Sequence, residues 1–260
     1  MVNRKVDLLN WGNVLTYVLV VIVNALAGST TLIGGKVTAD ISDANFTLVT
    51  PAGYVFSIWG VIYVLLGAFV IYQLLPANRT KYFQKQVSWL FIASNLLNVL
   101  WLFAWQYEQL VLSVLIMLLL LVSLIMIYLR INDGREKGSL GEKLAVRLPF
   151  SVYLGWITIA TIANISAMLV SINWDGFGIG PEIWAAVVIL VALLIAVLMA
   201  MTRRDIAYEL VIIWAFIGIA MNQISQIVIA LSLLTVAVSA VVLIAAIYYH
   251  QRHPFGRYSK

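Results

Sequence analysis

No cysteine occurs in this 260-residue chain. Disulfides, thiolate metal sites and thiol catalysis are therefore excluded. Charge is nearly as scarce: Asp, Glu, Lys and Arg make up 10% of the residues, against about 25% in a soluble domain. The only two histidines, His250 and His253, both lie in the polar C-terminal tail. No imidazole is thus available inside an apolar run to ligate a metal or a haem iron. The centres of the long apolar runs hold no Asp, Glu, Lys or Arg. Ion-coupled transport, which keeps charges on its pathway, is disfavoured, and a retinal Schiff base has no mid-run lysine to form on. No carboxylate pair and no Ser–His set falls within these runs, so hydrolytic catalysis has no support. The net charge of +5 does not point to nucleic acid, because no soluble basic domain is present to carry that binding.

What remains is apolar. Hydrophobic residues make up 63% of the chain, and the mean hydropathy is +1.00. Apolar runs of about 20 residues recur, each long enough to cross a hydrocarbon core of about 30 Å. Only helices and closed barrels span lipid, and continuous rather than alternating runs favour helices. Eight spans are expected, at 11–33, 53–75, 87–107, 110–131, 144–172, 183–201, 207–221 and 227–249. The fifth is longer than a crossing needs. The seventh is short.

The basic residues set the orientation. Arg4 and Lys5 precede the first span. Arg79, Lys81 and Lys85 follow the second, and Arg130, Arg135, Lys137, Lys143 and Arg147 surround the connection from the fourth to the fifth. Arg203 and Arg204 follow the sixth, and Arg252, Arg257 and Lys260 follow the eighth. Fifteen of the 16 Lys and Arg thus share one side, and Lys36 alone falls on the other. Cytoplasmic loops collect Lys and Arg, so both termini are expected to be cytoplasmic and the number of spans even. Joining the seventh and eighth spans through 222–226 would break that parity. The expected fold is an all-α membrane protein, a polytopic bundle of eight transmembrane helices.

The N-terminus has some look of a signal peptide, with Arg4, Lys5 and Ala25-Leu26-Ala27. Its apolar run is long for one, so the first span is expected to be retained. The outer segment 34–51, with Asp40 and Asp43, is a candidate cap over the outer end. Asp205 and Glu209 at the start of the seventh span suit a helix N-terminus. Asn222, Gln223 and Gln226 are expected to serve an outer turn.

Three spans carry patterned residues. In the second, Gly53, Phe56, Gly60, Tyr63 and Gly67 fall on one stripe, with Trp59 beside Tyr63. Small residues on a stripe admit a neighbouring helix, and aromatic ones can wall a pocket. In the third, Ser94, Asn98, Trp101 and Trp105 share a face. Asn98 needs a partner in hydrocarbon and should face the bundle, whereas Trp105 and Tyr107 are read as interfacial anchors. In the fifth, Tyr153, Trp156, Ala160, Ala163 and Ala167 form a stripe, with Pro149 in its first turns. Trp156 and Asn164 are placed to face one interior space.

These blocks resemble the TspO/MBR family, the tryptophan-rich sensory proteins related to the mitochondrial translocator protein. The matching residues are Pro51, Gly53, Val55-Phe56, Trp59, Tyr63 and Gly67, then Leu97-Asn98 and Trp101, then Pro149, Tyr153-Leu154, Trp156, Ala160 and Asn164. They fall within 11–172. Ala52 stands where a second proline is usual, and Leu102-Phe103 replaces a Ser/Thr-Pro. The expected organisation is a five-helix family-like bundle at 1–172 followed by three further spans and a basic tail at 173–260. The resemblance implies an intramembrane aromatic pocket for a porphyrin-like or other apolar ligand, haem included, with no cofactor required. Its residues here would be Phe56, Trp59, Tyr63, Asn98, Trp101, Tyr153, Trp156 and Asn164. Light-dependent porphyrin breakdown through Trp59 and Trp156 is the enzymatic alternative, and facilitated movement of an apolar solute is another. The expected partners are the lipid bilayer, expected to be that of the cytoplasmic membrane, and the apolar ligand. A homodimer stays open, since the last three spans could cover the face that shorter members use to pair.

Overall fold

A computed structural model describes residues 4–132 and 138–252. Among them the long elements are all helical. They are α1 (Arg4–Ser29), α3 (Ile58–Leu74), α4 (Tyr82–Gln106), α5 (Leu110–Asn132), α7 (Leu148–Ser171), α8 (Pro181–Arg203), α9 (Ile206–Asn222) and α10 (Gln226–Arg252), with the short α2 (Thr38–Ala44) and α6 (Leu140–Glu142) between them. Seven of these stretches are long and apolar enough to cross a membrane, and α9 is apolar but has 17 residues. At 1.5 Å per residue it rises about 25 Å, the short end for a crossing. Long side chains such as Leu115, Leu119 and Leu194 stay more than half exposed, which suits a lipid-facing surface and not a watery one. The chain is an integral, multi-pass membrane protein.

Several helices outrun the expected spans. α1 starts at Arg4 instead of 11, because its first turns are helical although too polar to read as apolar. α4 starts at Tyr82 and α10 runs to Arg252, so His250 belongs to a helix, while His253, Arg257 and Lys260 lie outside the described residues, as do Arg135 and Lys137. The second span opens with a 3-10 turn over Gly53–Ser57 before α3. The fifth begins at α6, and a π turn over Lys143–Arg147 leads into α7. Pro149, in the first turn of α7, has no N–H to donate, and a wide turn just before it accommodates the missing bond. α9 and α10 are separate helices.

The chain divides into two compact units. One comprises 1–47 and 56–174, the other 48–55 and 175–260. In the first, α4 packs on α1 and α5, and α5 and α3 pack on α7. A phenylalanine cluster joins three of these helices: Phe69 on α3 lies 5.0 Å from Phe91 and 5.1 Å from Phe150, ring centre to ring centre. The glycine stripe of α3 serves as a seam at one point only. A Cβ on Gly67 would lie 2.6 Å from the Tyr17 hydroxyl, whereas Gly53 and Gly60 face open space. Tyr17 uses that notch to donate to the Tyr63 carbonyl at 2.9 Å.

The outer segment is fastened to the first unit by Gln106 at the end of α4. Its Nε2 donates to the carbonyls of Ile33 and Lys36, and its Oε1 accepts from the Thr38 hydroxyl. Lys36 also pairs with Glu108 at 2.6 Å across an exposed edge. Trp105 is only 6% exposed and donates to the Thr38 carbonyl. It is therefore a buried fastener of this segment instead of an interfacial anchor; Tyr107 is 59% exposed.

In the second unit α10 packs on both α8 and α9. Ala185, Ile189, Ala192, Ala196 and Ala200 form a buried, mostly small stripe on α8, which lets a neighbour approach closely. Segment 48–55 crosses α9 at Gly218, where the Ala52 N–H donates to the Gly218 carbonyl. Asn222 and Gln223 both donate to the Thr50 carbonyl, so the outer-turn amides hold this strap. Trp214 donates to the Val55 carbonyl and meets Tyr54 edge-on at 5.2 Å.

Candidate ligand site

Trp59 stands at the centre of an aromatic cluster in the first unit. The turn spacing of α3 stacks it on Tyr63 at 5.7 Å, the i, i+4 relation. Trp101 of α4 stacks on its ring at 5.9 Å. From α7, Tyr153 and Trp156 present ring edges, each at 6.1 Å. Phe56 meets Trp156 edge-on at 5.9 Å. These separations fall in the range where ring quadrupoles attract. Tyr153 and Trp156 are buried, while Phe56, Trp59 and Tyr63 are half-buried, so the cluster has a closed floor and a partly open side.

Two chains of hydrogen bonds hold this cluster. Asn24 of α1 donates to Asn98 Oδ1 at 2.8 Å, and Asn98 Nδ2 donates to the Tyr153 hydroxyl at 2.8 Å. Trp101 Nε1 donates to Asn164 Oδ1 at 2.9 Å, and Asn164 Nδ2 donates to Ser113 Oγ at 2.9 Å. Each chain ties three helices together. All eight residues singled out from the sequence join one contact network. Within it Asn98 and Asn164 are engaged between helices, so their part is to hold the rings. Asn24 and Ser113 were not singled out, and no pattern in α1 or α5 marks them, because each is read only through its partner.

Two donors in this network remain open. Trp156 Nε1 and the Tyr63 hydroxyl are buried and have no hydrogen-bond partner. A buried donor without a partner costs about 1–3 kcal/mol, so a guest with an acceptor atom would relieve both. No group of three or more His, Cys, Asp or Glu is placed to hold a metal among the described residues.

A second polar group lies between α1, α3 and α4. Asn10, Asn13, Gln73, Gln84, Ser88 and Asn95 are each 3% exposed or less. Asn13 donates to Gln73 Oε1 at 2.8 Å, Gln84 to the Gln73 carbonyl at 2.8 Å, and Asn95 to Thr16 Oγ1 at 3.1 Å. The sequence shows Asn10, Asn13, Gln73 and Gln84 near span ends, where solvated residues look the same, whereas Asn95 stands in mid-span.

Compared with known protein families, residues 10–249 match the family described as TSPO-like protein. The match runs past 172, through α8 and α9 and into α10. Among curated proteins and solved structures, none matches the chain significantly. With nearly its whole length covered, the chain belongs to the TSPO-like protein family.

Proposed function

We propose that the first unit binds a flat, apolar, porphyrin-like molecule at the aromatic cluster, as a sensor or regulator of that ligand. The observation that carries this reading is the pair of unpartnered donors, Trp156 Nε1 and the Tyr63 hydroxyl, set among stacked rings. Aromatic faces attract a macrocycle, and apolar sites between helices with a few fixed polar groups are the usual form of a small-molecule site. Porphyrin carboxylates or carbonyl-bearing analogues supply the acceptor the donors need. Trp59, Tyr63, Trp101, Tyr153, Trp156 and Phe56 provide the walls, while Asn98 and Asn164 hold them.

The test is a fluorescence-quenching titration of the purified chain with protoporphyrin, repeated on Trp59→Phe and Trp156→Phe. Loss of a stacking face or of the Nε1 donor is expected to weaken binding about tenfold, the equivalent of about 1.4 kcal/mol. Unchanged affinity in both variants would remove this site.

The enzymatic reading rests on Trp59 and Trp156 meeting at 6.1 Å, close enough for both to touch one macrocycle. Illumination of the protoporphyrin complex separates the two readings. Breakdown that stops in the tryptophan variants while binding persists supports an enzyme; an intact porphyrin after illumination of the wild type rules it out.

A further inference from the structure

The acidic residue expected to suit the N-terminus of α9 is not where that role would leave it. Asp205 is the cap: its Oδ1 accepts from the N–H groups of Ala207 and Tyr208 at 3.1 Å each. Glu209, one turn on, is 2% exposed, and neither of its carboxyl oxygens has a hydrogen-bond partner. Its interacting neighbours are Ser239 on α10 and Asp205 on its own helix. Ser239 belongs to a buried hydroxyl face with Ser232 and Thr235, each 1% exposed or less. Ser232 and Ser239 are themselves without hydrogen-bond partners. On α8 the buried stripe is alanine with Ile189, and Arg203 and Arg204 at its end are exposed. The charge that acts on the Glu209 carboxyl from its own helix, Asp205, has the same sign.

We propose that Glu209 is a proton-binding site: a carboxylic acid, neutral in the folded second unit, that faces Ser239 and releases its proton only when α9 and α10 loosen. A carboxylate taken out of water without a partner carries a large desolvation penalty, and a like charge nearby adds to it. A neutral acid avoids that penalty. Its O–H can donate to Ser239 Oγ, and its carbonyl can accept in return. Release leaves a carboxylate and a free proton, and the carboxylate then needs water, which only a parting of the two helices admits. An ionisable side chain buried in such a membrane protein marks a candidate functional site. This site lies within the second unit and does not depend on the aromatic cluster.

Infrared difference spectroscopy on the full chain in lipid nanodiscs reads the protonation state directly. At neutral pH a carboxylic-acid C=O stretch is expected, shifted by deuteration and missing in Glu209→Gln. Ser239→Ala keeps the fold in view with a smaller change, and there the same band is expected to move to higher frequency as its partner is lost. Thermal unfolding gives a second readout. The unfolded chain releases this proton above about pH 4–5 while the folded chain keeps it, so this group's contribution to stability falls as pH rises above that range. Glu209→Gln is expected to remove that part of the slope. The proposal is overturned if the wild type shows no acid band at neutral pH, if the band survives in Glu209→Gln, or if Ser239→Ala leaves it unmoved.

Discussion

Asn98 shows how much one side chain can decide in a lipid-facing protein. It accepts from Asn24 and donates to Tyr153, so removing it takes a partner from polar groups on two other helices. Asn98→Leu is expected to destabilise the chain by about 1–2 kcal/mol, read as a lower midpoint in detergent thermal unfolding. Lys36→Ala removes a short ion pair with Glu108, but both groups are nearly half exposed. Solvent and salt screen such pairs, and the same assay should show a change below about 1 kcal/mol. Trp105 marks the limit of reading residues singly. Its place near a helix end suggested an interfacial ring, yet its indole is buried on the Thr38 carbonyl, a contact that exists only once segment 34–51 has folded back.

At the scale of the element, two glycines on apolar helices have opposite meanings. A Cβ on Gly60 meets nothing within 4 Å, whereas one on Gly218 would lie 2.0 Å from Val55 Cγ2. Val55 is fully buried there and the strap has no room to retreat. Gly60→Ala is expected to stabilise α3 by up to about 1 kcal/mol through helix propensity. Gly218→Ala is expected to cost about 1–3 kcal/mol by overpacking. Thermal unfolding of the two variants side by side checks the contrast; equal shifts would remove the strap's tight seat. The small-residue spacing of α3 was legible in the sequence, but which glycine meets a neighbour was not. The Gly218 notch had no visible signal, since its partner lies more than 160 positions away in the chain.

For the whole molecule the testable matter is orientation. The chain contains no cysteine, so single cysteines can be placed without background. With the 15-to-1 division of basic residues setting the sides, Lys36→Cys and Ile224→Cys should react with an impermeant thiol reagent from outside intact cells. Ser139→Cys should react only after the membrane is opened. Reaction of Ile224→Cys and Ser139→Cys from the same side would remove the eight-crossing arrangement and leave α9 as a short helix that does not span.

Local physics made the membrane class readable from the chain alone. Run length and hydropathy are properties of consecutive residues, and the hydrocarbon core responds to nothing more. The same holds for the helical stripes of Trp59, Tyr63, Trp101, Tyr153 and Trp156, whose spacing places them on shared faces before any partner is known. Tertiary structure alone decided which polar groups are satisfied and which are not. Asn98 and Asn164 found partners on other helices, while Trp156 Nε1, the Tyr63 hydroxyl and Glu209 did not. Hydrogen-bond satisfaction depends on neighbours brought together by folding, and a buried unpaired group is indistinguishable in sequence from a solvated one.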